Sequence, residues 1–514
     1  MSKTMIIIGA GLAGLSAALQ AAENGCNVKL VSSLPSERAQ SVMAEGGINA
    51  ALNTKDENDS PEEHFTDTIK AACGLADPNA VWGMTQAAPE LVHWLLKLGV
   101  KFNMSGYDDV DLRNFGGQKK KRTAFAQSDT GKQIMTAMID AVRRKEASGM
   151  VERFSHHSFL TLRLCGNICC GCVIRDEYSQ ETVELPGDAV IVATGGMHGL
   201  FGNTTGSLSN TGEVTAELFR LGVPLANGEM IQYHPTTVKC GGKRMLISEA
   251  ARGEGGRLFA MKDGKQWYFM EEKYPELGNL MPRDITAREI WKVSHESEVF
   301  LDMTEISEEI ISNKLSGLAD DCMTYLHKDI RKEPVSVLPG IHYFMGGILV
   351  DEQHRTPIQN LYAAGECCAQ YHGANRLGGN SLLGALYGGR VAAKSACEQA
   401  DVVDLSCATQ IDFPPASQIS EIKQLNKVMQ ETMGVVRNEN TLLNGIQTVQ
   451  ALTGNLPLLG MAVLKSALAR KESRGAHWRE DYPKSNDDDY LKTTVARFDG
   501  KQIQISFVPV PERR

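Results

Sequence analysis

Nothing in the 514-residue chain reaches the roughly 18 to 20 consecutive apolar residues that a membrane-spanning helix requires. The most apolar stretch, TMIIIGAGLAGLSAALQAA from Thr4 to Ala22, is broken by a patterned set of glycines. A fold that begins at once leaves no room for a secretory leader and its cleavage site, so a cytoplasmic location is expected. Low-complexity tracts and repeats of fixed period are also missing, which argues against a solenoid or a disordered scaffold. Basic excess is missing too. A formal charge of -9 gives no electrostatic footprint for nucleic acid, and the one basic run, KKKR at Lys119 to Arg122, is expected to be a solvated loop. There is no CxxCH haem-attachment motif. Twelve cysteines show no disulfide framework: pairs such as Cys169-Cys170 and Cys367-Cys368 lie in apolar segments, as in a reducing compartment. The cluster CGNICCGC, Cys165 to Cys172, reads as two strands around a Gly-Asn turn whose cysteines serve as small apolar side chains. No metal site is assigned.

What is present begins with MIIIGAGLAGLSAALQAAENGCNVKLVS, Met5 to Ser32: strand, glycine turn, helix, second strand. Gly9, Gly11 and Gly14 make a GxGxxG. The first glycine serves the turn, the second the approach of a phosphate, and the third the packing of helix on strand. An NAD site would place an acid at the end of the second strand, but that strand ends in Ser32-Ser33, which points away from NAD and toward FAD. Two later stretches agree. DAVIVATGGMHGLFG, with Thr194 and Gly195, and NLYAAGECCA, with Glu366, are apolar strands running into glycines, as expected where backbone lies against an extended cofactor. Glu366 is expected to hold a hydroxyl of the linker.

The fold class expected is α/β: a Rossmann-like FAD-binding domain with an inserted α+β capping domain and a C-terminal helical domain. The boundaries read from the chain are 1–227 and 348–405 for the two parts of the FAD-binding domain, 228–347 for the capping domain, and 415–514 for the helical domain and tail. The helices of the last part rest on ISEIKQLNKVMQETMGV and NLPLLGMAVLKSALARKESRGA, where apolar residues recur at spacings of three and four.

Several stretches are rich in groups that hold carboxylates: IQYHPTT, MLISEAARGEGG, MPRDITAREIW, GIHYFMGG and YHGANRLGGNSLLGALYGG. They carry His234, Ser248, Glu249, Arg252, Arg283, Arg288, His342, His372 and Arg376. Arginine makes forked, two-bond contacts with carboxylates, so two arginines with two histidines fit a small dianion.

With AEGGINAAL, FGGQKKKRTAFAQSDTG, QYHPTT, SEAARGEGG, PRDITAREI, HYFMGG, HGANRLGGNSL and RGAHWREDYP in this order, the chain resembles the flavoprotein subunit family of succinate dehydrogenase and fumarate reductase, a superfamily that includes L-aspartate oxidase. The resemblance implies FAD, with Gln40, Gly46, Gly47, Ser381 and Leu382 among its contacts. It implies that His234, Ser248, His342 and Arg376 grip the carboxylates of fumarate or succinate. Reduced flavin then gives hydride to one alkene carbon, Arg283 gives the proton to the other, and Glu249 and Arg252 resupply it. It also implies an iron-sulfur electron-donor subunit as partner, and through it a peripheral place on the cytoplasmic side of the inner membrane.

Two departures carry information. Gln40 stands where membrane-bound members carry the histidine joined covalently to the flavin, so the flavin is expected to be non-covalent and of lower potential, favouring reduction of fumarate. Phe115 stands in RNFGGQ where L-aspartate oxidase presents a glutamate to the substrate ammonium. Fumarate reduction is the expectation. L-aspartate oxidation and reduction of another unsaturated carboxylic acid are its alternatives.

Overall fold

The computed structural model of the chain describes residues 2–106, 109–402, 408, 411, 413 and 418–514. The boundaries expected at 405 and 415 fall outside these residues.

Five parallel strands lie in the order Leu361–Ala363, Ala189–Val192, Thr4–Ile8, Asn27–Ser32, Val151–Ser155. They read as near-continuous runs of Val, Ile and Leu because both faces of a parallel sheet are covered. The helix Leu12–Glu23 covers one face and packs on the helix Asn380–Gln399. Small residues allow this: a Cβ on Gly389 would lie 2.3 Å from the Ala13 carbonyl oxygen. At the turn between the first strand and its helix, Gly9 has φ +112 and no room for a Cβ, which would sit 2.3 Å from the Ala193 oxygen. A Cβ on Gly14 would meet the Gly9 oxygen at 1.8 Å. The first and third glycines of the motif therefore serve the roles read from their spacing.

The cysteine cluster is a hairpin. His157–Cys165 pairs antiparallel with Ile168–Asp176 around Gly166 and Asn167, and Cys169, Cys170 and Cys172 are buried free thiols. Among the described residues no group of three or more His, Cys, Asp or Glu side chains could hold a metal ion.

The strand Ile231–Cys240 pairs with Leu338–Phe344 and Lys243–Leu246. Its register slips between Gln232 and Tyr233 and again between His234 and Thr237. Such bulges re-aim side chains, and Pro235 at the second slip has no N–H to lose from the ladder. Beyond it a four-stranded antiparallel sheet, built from Arg257–Lys262, Lys265–Trp267, Val299–Asp302 and Val335–Ser336, surrounds its own apolar cluster with Ile247, Leu258, Ile290 and Leu301.

Toward the C-terminus come the helices Ile419–Thr432, Glu439–Val449 and Asn455–Ala469. They pack on Leu200, Phe201 and Phe344. The chain then makes a hairpin, Lys492–Phe498 with Ile503–Pro509, that helical periodicity did not foretell. It extends a second five-stranded sheet through Leu225–Ala226. The architecture is α/β with an antiparallel α+β insertion and a helical C-terminal part. No helix of the described residues is long and apolar enough to cross a membrane.

The basic run corrects an expectation. Lys119 and Lys121 are exposed, but Arg122 is fully buried and pairs with Asp59 at 2.9 Å and Asp67 at 3.0 Å. A cation anchored by two carboxylates beneath the flanking loop is not a solvated side chain.

Candidate active site

A cavity of about 580 Å³ runs from the end of the parallel sheet to the bulged strand. Gly9, Gly11, Ser32, Gln40, Gly46, Gly47, Thr194, Gly195, Glu366, Ser381 and Leu382 line its length. Phe115, His234, Ser248, Glu249, Arg283, His342 and Arg376 line its far end. Of the residues singled out by the sequence, Gly14 packs behind the glycine turn and Arg252 sits behind Glu249. Arg288 and His372 stay outside the cavity: Arg288 stacks on Trp478 at 4.0 Å, and His372 packs edge-on to Tyr343.

The long arm fits FAD. The helix Leu12–Glu23 begins at the cavity with no acidic residue in its first turn, so its N-terminal N–H groups and dipole favour a pyrophosphate. The buried polar atoms Ser32 Oγ, Thr194 Oγ1 and Asn210 Nδ2 have no protein hydrogen-bond partner. Unpaired buried groups are costly, and these three line the cavity wall where a bound cofactor would satisfy them. Glu366 gives one oxygen to the Phe344 N–H at 3.1 Å, leaving the other free. Gln40 accepts, through Oε1, from the Ser207 N–H.

At the far end the charges decide the chemistry. Burial would push the Glu249 carboxyl up, but Arg283 and Arg252 outweigh it and hold it below the usual range. Its Oε2 accepts from Arg283 Nε at 2.8 Å and Nη2 at 2.5 Å. Its Oε1 accepts from the Gly116 N–H at 3.1 Å and lies 3.4 Å from Arg252 Nη2. Arg283 also donates from Nη1 to Gln232 Oε1 at 3.1 Å. A guanidinium has five N–H donors, so one hydrogen on each terminal nitrogen of Arg283 is left for the cavity.

Arg376 is different. It is buried, its Nε has no partner, and no carboxylate of the described residues lies within ion-pair distance. Its support is the ring of Tyr343, 4.3 Å away. Burial, then Arg283, pull its guanidinium down to about 9. Both imidazoles are held well below their usual range, by burial first and then by Arg283. Their Nδ1 atoms face protein donors: His342 Nδ1 lies 2.7 Å from the Thr205 hydroxyl and His234 Nδ1 accepts from the Thr236 N–H at 3.3 Å, which leaves the ring N–H at Nε2. Ser248 caps the helix Glu249–Gly253 by accepting from the Ala250 N–H, which leaves its O–H to donate. Three guanidinium groups against one carboxylate give this end two uncompensated positive charges. A dicarboxylate dianion is what such a desolvated site would take.

Phe115 is buried in the wall between two glycines, whose Cβ atoms would lie 2.9 Å (Gly46) and 3.0 Å (Gly378) from its ring. Sequence reasoning missed Gln232, Tyr343, Asn375 and Glu45. The first three stand within the quoted motifs and gave no charge signal. Glu45 stood in plain view in AEGGINAAL; what sets it apart is a partly buried carboxyl in the cavity wall with one oxygen that has no hydrogen-bond partner.

A cofactor channel ending in a cationic pocket defines an FAD-dependent oxidoreductase of a small dicarboxylate. Residues 4–382 match the FAD binding domain family and residues 452–513 match the fumarate reductase flavoprotein C-term family. The chain is 38% identical to the succinate dehydrogenase flavoprotein subunit of Bacillus subtilis, over 99% of this chain and 98% of that one. It is 32% identical to the 8-methylmenaquinol:fumarate reductase flavoprotein subunit of Wolinella succinogenes, over 99% and 92%. Its fold is similar to that of the FrdA chain of E. coli quinol fumarate reductase, with a TM-score of 0.90 and 27% identity over 99% of this chain and 97% of that one. The chain belongs to the succinate dehydrogenase and fumarate reductase flavoprotein subunit family, FAD-dependent oxidoreductases that act on succinate and fumarate.

Proposed function

We propose that the protein is the flavoprotein subunit of a fumarate reductase, working on non-covalent FAD and fed by an iron-sulfur subunit that holds it at the cytoplasmic face of a membrane. The direction rests on Gln40. It lines the FAD channel, and its amide is held by the Ser207 N–H; an amide cannot form the electron-withdrawing histidyl link that favours succinate oxidation.

FAD supplies hydride transfer when bound, and the chain supplies everything else. Arg376 and the N–H groups of His234 and His342 bind the carboxylates. Ser248 adds a hydroxyl donor. Arg283, clamped by Glu249, presents a terminal N–H as the acid. Proton return runs through Glu249, with Arg252 behind it keeping that carboxylate ionised. Phe115 offers no countercharge to an ammonium, which speaks against L-aspartate as substrate.

The relative from B. subtilis, named a succinate dehydrogenase at 38% identity, favours a second reading in which the cell runs the reaction toward fumarate. Anaerobic assays of the purified FAD-loaded protein separate the two. Reduced viologen with fumarate and an oxidant dye with succinate give the two rates. Faster fumarate reduction supports the proposal, and faster succinate oxidation overturns it. An L-aspartate arm that bleaches the flavin would overturn the role given to Phe115.

A further inference from the structure

Gln232 is fully buried and lies two residues before His234 on the bulged strand. Its Oε1 accepts from Arg283 Nη1 at 3.1 Å. Its Nε2 donates twice, to Asn375 Oδ1 at 2.8 Å and to the Arg376 carbonyl oxygen at 2.8 Å. Asn375 in turn donates from Nδ2 to Asp284 Oδ1 at 2.9 Å. The four groups form a one-way chain, Arg283 to Gln232 to Asn375 to Asp284, with a cation at one end and a carboxylate at the other.

The direction of the chain is settled by chemistry. A carboxylate accepts only and a guanidinium donates only, so both ends are fixed. Turning the Gln232 amide over would set donor against donor at Arg283 and acceptor against acceptor at both Asn375 and Arg376.

We propose that Gln232 is a positioning residue that fixes the acid Arg283 relative to the carboxylate clamp Arg376. The inference rests on the reading of the cavity as a fumarate and succinate site. Glu249 holds one side of the Arg283 guanidinium, and a group held on one side alone pivots about that contact. The Gln232 oxygen removes the pivot and spends one Nη1 hydrogen, so the remaining pair faces the cavity. The same amide holds the Arg376 backbone, while the Arg376 guanidinium lies on Tyr343. One side chain thereby sets the distance between the group that gives the proton and the group that holds the substrate. A misplacement of about 1 Å in such an arrangement costs on the order of 10²-fold in rate.

Gln232→Met keeps the volume and loses every hydrogen bond. Gln232→Glu keeps an acceptor for Arg283 and loses both donations. The holoenzyme variants are compared with wild type for FAD content and for kcat and KM with fumarate. The expected result is FAD content within a few per cent of wild type, KM changed by less than about fivefold, and kcat lowered by about 10²-fold in both. A kcat within threefold of wild type in both variants overturns the inference, as does loss of FAD or fold in both, which would make Gln232 structural. Wild-type protein inert toward both fumarate and succinate would end the reading of the site itself, and the variants have no part in that result.

Discussion

Arg283 and Arg376 are both buried cations, and they differ in what the protein gives them. Arg283 has Glu249 and Gln232; Arg376 has a ring face and no carboxylate. On the proposed function the substrate is the counterion of Arg376. Arg376→Ala is expected to keep FAD and raise KM for fumarate by about 10- to 150-fold, the loss of a charge-assisted hydrogen bond of roughly 1.5–3 kcal/mol. Steady-state kinetics check this, and an unchanged KM would remove Arg376 from the clamp. Arg283→Ala is expected to lose about 10²- to 10⁴-fold in kcat, the usual worth of a positioned acid, while flavin absorbance stays that of wild type. Full turnover in that variant would leave the proton donor unassigned. Glu45 gives a pH prediction. Burial first, then Asp321, push its carboxyl up to about 8, with Arg113 opposing. The folded protein therefore holds a proton that an ordinary carboxyl has released, so this group makes folding less favourable as pH rises from about 4.5 to about 8. The Tm of wild type is expected to fall between about pH 6 and pH 8, and to fall less steeply in Glu45→Gln. Equal slopes would mean that Glu45 is ionised across the range.

At the scale of elements, what was legible in the sequence was whatever has a local cause. The GxGxxG turn was legible because its first and third glycines answer steric demands, from the neighbouring strand for Gly9 and from within a few residues for Gly14. The cysteine hairpin was legible because its turn residues and strand pattern are contiguous. Arg122 was not, because its partners Asp59 and Asp67 lie more than fifty residues earlier in the chain and nothing in KKKR distinguishes the last cation from the first three. The C-terminal hairpin was hidden for a similar reason: its place is set by a partner strand at Leu225–Ala226, far away in sequence. Gln232 was hidden because an amide announces no charge; only its contacts reveal it. The Arg122 correction is itself testable. Arg122→Met strands two buried carboxylates and is expected to cost about 3–5 kcal/mol, whereas Lys121→Met, whose ion pair with Glu57 is 3.7 Å long and exposed, is expected to stay within about 0.5 kcal/mol. Denaturant melts of the pair check this. Equal midpoints would mean that the run is solvated after all.

At the scale of the whole molecule, one cavity joins three parts of the chain. Glycine turns of the parallel sheet line its length, the bulged strand and the helix at Arg283 close its end, and the segment Gly373–Leu382 returns to both. Cofactor binding and folding must then be linked, because the channel walls come from segments distant in sequence and exist only in the folded state. A ligand that binds the folded form alone stabilises it by RT ln(1 + [L]/Kd), about 1.4 kcal/mol for each tenfold rise in free ligand above Kd. If FAD is held without a covalent bond, as Gln40 implies, the Tm of the apoprotein should climb steadily with added FAD, and acid precipitation should release all of the flavin into the supernatant. A covalent flavin would stay in the pellet, and Tm would not respond to free FAD. Gln40→His tests the same point from the other side: the variant gains the one side chain whose absence dictates the prediction, and flavin retained in its pellet but not in that of wild type would tie the mode of attachment to residue 40 alone. Flavin retained in the wild-type pellet would place the attachment elsewhere and remove the ground for assigning the reductive direction.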